Sequence, residues 1–96
     1  MILYREIKYN DKKMVIICDK DLYGKKFEEE GKILEINEFF KGREISELED
    51  ISSASVIFAV GEKSISILLN KKVIDEDDLK NVKKIQNVPY LFIIMI

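Results

Sequence analysis

Apolar and polar side chains alternate from Ile2 to Tyr9, with Leu3, Ile7 and Tyr9 on one face, and the pattern predicts a strand. Arg5 shares that face and interrupts it. Asn10-Asp11-Lys12 is turn-forming. Lys13 to Cys18 is then apolar enough for a strand buried on both faces, so the chain opens with a hairpin. Asp19 is placed to cap a helical turn over Lys20 to Tyr23 by accepting from the amides of Asp21 or Leu22. Gly24 ends that turn in the left-handed conformation. Leu22 and Phe27 then fold onto the hairpin. Glu28 to Gly31 reads as an exposed acidic turn, Lys32 to Ile36 as a third strand, and Asn37 to Phe40 as a single turn closed by Gly42.

Ser46-x-x-Glu49 has the form of a capping box and predicts a helix carrying Leu48 and Ile51 inward, weakened at Ser52, Ser53 and Ser55. Ser55 to Val60 reads as a strand that Gly61 breaks. Glu62 to Lys72 reads as a helix, since Ile65, Leu68 and Leu69, with Val73 just beyond, fall on one helical stripe. Asp75 caps a short turn through Asp78 to Asn81. Val88 to Met95 is nearly free of polar side chains and belongs inside a sheet, with Pro89 near its start. An exposed edge of that composition would template aggregation. Strand, helix and strand over 55–60, 62–72 and 88–95 suit a right-handed parallel crossover. The expected fold is α+β: a small two-layer α/β domain over 1–96, a mixed sheet opening with an antiparallel hairpin, and helices mainly on one face.

Composition narrows the chemistry. The 96 residues are 47% hydrophobic and 35% charged, with a net charge of −2, no histidine and one cysteine. Imidazole catalysis, His-containing metal sites and an internal disulfide are excluded. Arg5, Glu6 and Lys8 interrupt the first apolar stretch, which argues against a signal peptide. No apolar run approaches a membrane span, so no membrane partner is expected. The acidic balance is unlike that of a general nucleic-acid binder, although a local basic face is compatible with it. Lysine and glutamate enrichment fits a hyperthermophile, and the lysine excess fits a low-GC genome equally well.

Each candidate feature has a plainer alternative. Cys18 follows an apolar strand and reads as a small buried hydrophobe rather than a nucleophile, since no histidine is present to activate it. The carboxylates of Asp75 to Asp78 complement a helix N-terminus as readily as they would hold a hard cation. Gly24, Lys25 and Lys26 form a turn whose backbone and two ammonium groups suit a phosphodiester, or else simply a helix stop with solvated lysines. Lys71-Lys72, Lys83-Lys84 and Lys12-Lys13 are candidates for one basic face, with Tyr4, Tyr9, Phe39, Phe40 and Tyr90 for stacking. Phe39 and Phe40 cannot easily both point inward from a short turn. Val60-Gly61-Glu62 joins a strand to a helix, as an anion site would, but Glu62 repels anions and a structural bend is the simpler reading.

Cys18-Asp19, Leu22, Gly24-Lys25, Phe27, Phe39-Phe40 with Gly42, Val60-Gly61-Glu62 and Val88-Pro89 follow in the order and spacing of a small archaeal family, domain of unknown function 424, which the chain resembles along essentially its whole length. That family tends to carry Asn where Phe58 stands, and Gly-Val-Pro-His-Ala-Gln where this chain reads Asn87-Val88-Pro89-Tyr90-Leu91-Phe92. If those polar residues form a site, it is lost or rebuilt here. The resemblance implies a compact α/β domain, an archaeal cytoplasmic setting and no assigned activity, and it points towards RNA or the ribosome.

The first functional expectation is therefore a non-enzymatic binding module for RNA or the translation apparatus, using Lys25, Lys26 and neighbouring lysines with Phe39 or Phe40 to stack. The second is an assembly subunit that forms a homodimer through the C-terminal strand. The third is an enzyme using Asp19 or Glu62 for acid-base chemistry. Across these readings the candidate ligand-binding residues are Asp19, Gly24, Lys25, Lys26, Phe39, Phe40, Gly61 and Glu62, and no cofactor is expected.

Overall fold

A computed structural model describes residues 1–51 and 53–95. Strands β1 (Ile2–Tyr9) and β2 (Lys12–Asp19) form the expected hairpin. Asn10 and Asp11 both take positive φ, the two-residue geometry whose twist matches that of the flanking strands. A 3-10 turn (Lys20–Leu22) leads to Gly24 at φ +85°. Lys26–Glu29 (β3) and Lys32–Glu35 (β4) then pair as a separate small hairpin. The acidic run predicted as turn is thus largely strand. Only Glu30 and Gly31 turn, while Phe27 and Leu34 face the core.

After a second 3-10 turn (Glu38–Phe40), Arg43–Ile45 forms β5 beside β1. No helix follows. The capping-box segment runs as an irregular loop among the described residues, while Leu48 and Ile51 are buried. Ser52 lies outside the described residues. The serines support a helix poorly, and Leu48 and Ile51 reach the core from the irregular segment instead.

Strand β6 (Val56–Val60) and helix α1 (Glu62–Asn70) match the prediction. A 3-10 turn at Asp78–Asn81 follows, in which the Asp75 and Asp78 side chains each accept from the other's amide, at 3.1 and 2.9 Å. The chain ends in a hairpin of β7 (Lys83–Ile85) and β8 (Val88–Ile94), and β7 has no counterpart in the sequence pattern.

The sheet order is β5-β1-β2-β6-β8-β7. The expected parallel crossover between 55–60 and 88–95 is not formed, because β8 lies antiparallel to β6. The parallel pair is instead β2 with β6, in register Met14↔Val56 to Cys18↔Val60. The two-residue turn before β8 reverses the chain beside β6 and so fixes its antiparallel sense.

The sheet has two faces. On the inner face Tyr4, Val15, Ile17, Ile57, Ala59 and Leu91 pack under α1. On the outer face Ile16, Cys18 and Val60 are covered by the β3–β4 hairpin and Phe40. Arg5 fits on that outer face by lying over the Phe39 ring, 5.8 Å from its centroid, and donating to the Phe39 carbonyl at 2.8 Å. No helix among the described residues is long and apolar enough to cross a membrane.

Candidate functional site

The chain leaves β2 towards the outer hairpin and leaves β6 towards α1 on the inner face. Neighbouring parallel strands whose connections diverge in this way open a crevice at their carboxyl ends, the usual ligand position in α/β sheets. Here that crevice has a volume of about 240 Å³, and Asp19, Leu22, Gly61, Glu62, Val88 and Pro89 line it. Three stretches that carry the family resemblance therefore meet at one point.

Their chemistry is structural. Asp19 does not cap the turn that follows it, which has no side-chain cap. Its buried carboxylate reaches across to α1, where Oδ1 accepts from the Ser64 amide and hydroxyl, both at 2.8 Å, and Oδ2 accepts from the Lys63 amide at 3.1 Å. An intramolecular anion thus occupies the helix N-terminus that would otherwise attract a phosphate. Gly61 makes this possible. Its φ of +105° is essentially restricted to glycine, and a Cβ there would collide with the Asp19 carboxyl group. Three donors already engage the Asp19 carboxylate, and Glu62 stands exposed at the crevice mouth. Pro89 fits the neighbouring strand because its missing donor faces Gly61, whose carbonyl already accepts from the Ile65 amide at 3.1 Å.

The other nominated residues lie elsewhere. The Gly24 amide donates to the Ile36 carbonyl at 2.7 Å and the Lys25 amide to the Leu22 carbonyl at 3.1 Å, so those donors face the protein rather than a ligand. Lys26 pairs with Glu28 at 3.0 Å. Phe40 is 4% exposed and cannot stack on a base, while Phe39 is 40% exposed beneath Arg5. Lys12-Lys13 and Lys83-Lys84 do not converge. Lys13 lies five residues along β2 from Cys18, and Lys83 is near the Cys18 end, a separation of about 16 Å along the strand before any sideways distance. Cys18 is fully buried, and burial pushes its thiol up to about 12, which removes the thiolate.

A second region emerges on the outer face, towards the β1–β2 turn. Arg5, Ile16, Phe58 and Phe92 stand abreast across β1, β2, β6 and β8, and Ile7, Met14, Val56 and Ile94 form the next row. Aromatic rings run from buried Phe40 to Phe58 at 5.5 Å and on to Phe92 at 5.9 Å. Phe92 is 55% exposed and Ile94 66%. Phe58, Tyr90 and Phe92 therefore fall on one face of two paired strands. Lys80, Asn81 and Lys83 border Tyr90 and Phe92 around a concave surface of about 430 Å³.

The margin of β8 is also open here. Met95 donates to the Ser55 carbonyl at 2.7 Å and Gly61 to the Pro89 carbonyl at 2.8 Å, so odd-numbered residues of β8 direct their backbone groups towards β6. Even-numbered ones face the other way. Lys83 pairs with Tyr90, but β7 extends no further along β8. Phe92 and Ile94 are left at an unpaired margin among the described residues. The charge-free stretch Leu91 to Met95 is the sequence signal for this margin; the shortness of β7 is not legible there.

The family model described as protein of unknown function (DUF424) matches residues 7–96. The fold is similar to the crystal structure of an uncharacterized conserved protein from Methanopyrus kandleri, with a TM-score of 0.77, 23% identity, and coverage of 96% of this chain and 89% of that one. No curated protein matches. With the family pattern spanning both the Asp19–Gly61 contact and the strands beyond it, the chain belongs to the DUF424 family.

Proposed function

We propose that the protein is a non-enzymatic interaction module that engages another protein through the open margin and adjoining outer face of β8. The observation that carries this reading is the coincidence, at Phe92 and Ile94, of exposed apolar side chains with outward-facing backbone donors and acceptors. An extended segment of a partner can add to such a margin as a further strand, with backbone bonds giving affinity and the apolar row giving contact area.

RNA is the second reading, favoured by the concave surface where Lys80 and Lys83 flank Tyr90 and Phe92. The Gly24–Lys26 turn lends it less support, since its first two amides are engaged within the protein.

Affinity capture from an extract of the source organism, with and without ribonuclease, separates the two. The interaction reading expects protein capture that survives ribonuclease and is lost in Ile94→Lys. Capture abolished by ribonuclease, or unaffected by Ile94→Lys, contradicts it.

A further inference from the structure

We infer that the partner at the β8 margin is a second copy of this chain, joined by antiparallel pairing of β8 with β8 about a two-fold axis at Ile93. The inference rests on the interaction reading and names its partner.

The outward groups have the right spacing for self-pairing. Phe92 and Ile94 each offer a donor and an acceptor, and they flank Ile93, whose own groups face β6. An axis at Ile93 sets Phe92 opposite Ile94 of the partner subunit, and Ile94 opposite Phe92 of the partner subunit. Both facing pairs are then hydrogen-bonded pairs, and both are aromatic against β-branched, a favourable cross-strand combination. An axis at Phe92 would instead bring Ile94 of the partner subunit against Tyr90, whose groups already face Lys83.

Charge also favours a like strand. Leu91 to Met95 carries no ionisable side chain, so two copies meet without like charges opposed. A two-fold contact of this kind uses the same patch on both subunits and closes on itself, which spares the exposed margin from open-ended aggregation. The Phe58–Phe92 clusters of the two copies would then lie on the same side of one continuous sheet.

Sedimentation equilibrium on the full chain tests this. The expected mass is twice 11.2 kDa at high concentration, dissociating on dilution. Ile94→Lys is expected to be monomeric with its thermal transition retained, because Leu91 and Ile93 still pair with β6. The double variant Phe92→Lys with Ile94→Glu sets an introduced lysine opposite the partner's introduced glutamate in this register. It is expected to regain the dimer, and to lose it as salt rises. A wild-type monomer at every concentration up to about 1 mM overturns the inference. So does a dimer that Ile94→Lys leaves intact, or a double variant that remains monomeric. A monomer that still captures another protein, and loses it in Ile94→Lys, overturns the second copy while leaving the interaction reading in place.

Discussion

Three donors converge on the Asp19 carboxylate, and Gly61 leaves the space it occupies. Removing the carboxylate strands the Lys63 and Ser64 amides at a buried helix end. Asp19→Ala should therefore cost about 2–3 kcal/mol, read from denaturant unfolding. Gly61→Ala should cost at least about as much, since it adds a disallowed φ to a collision with the carboxylate. An unchanged midpoint for either variant would show that the contact does not hold α1 to β2. The buried Cys18 thiol gives a pH signature. Its ordinary value is near 9 and burial raises it to about 12. Below about pH 9 both folded and unfolded chains keep the proton; above it the unfolded chain loses the proton first. Stability should fall with rising pH by up to about 1.4 kcal/mol per unit. Cys18→Ala should lessen that slope just above about pH 9, while Tyr4, itself pushed up by burial, adds a further fall towards and above about pH 10, where the unfolded phenol loses its proton.

At the scale of elements, hydrophobic patterning is informative wherever the partner of a segment is near in sequence. The β1–β2 hairpin, α1 and β8 are all visible, and so is the need for Phe39 and Phe40 not to point inward together, though not which of them is buried, because each follows from local periodicity or local crowding. What depends on distant partners is not visible. Asp19 lies next to one helical turn yet caps another helix 44 and 45 residues away. The Ser46–Glu49 motif has the form of a helix start, but its apolar residues satisfy the core without one. The composition of β8 places it inside the sheet; it is covered on one side by β6 but only partly on the other by β7. Of the nominated site residues, Asp19, Gly61 and Glu62 share the crevice, whereas Gly24, Lys25, Lys26, Phe39 and Phe40 do not line it. The Gly24 turn offers an element-scale test. A Cβ added there would meet no atom within 4 Å, so only the φ of +85° opposes a side chain, and Gly24→Ala should cost about 1 kcal/mol in thermal unfolding.

For the whole molecule, the helix N-terminus at the crevice that the topology favours is taken up by an internal carboxylate, whereas the far end of the outer face carries a margin left unpaired among the described residues. The proposed interaction is therefore placed on β8. Amide hydrogen exchange resolved by residue, followed as the protein is diluted, tests that placement most directly. Leu91 and Ile93, facing β6, should be protected at every concentration, while Phe92 and Ile94 should exchange rapidly in dilute solution and slow as a partner strand is added. Protection of Phe92 and Ile94 equal to that of Leu91 and Ile93 in the dilute single chain would contradict the account, because the margin would then already be closed.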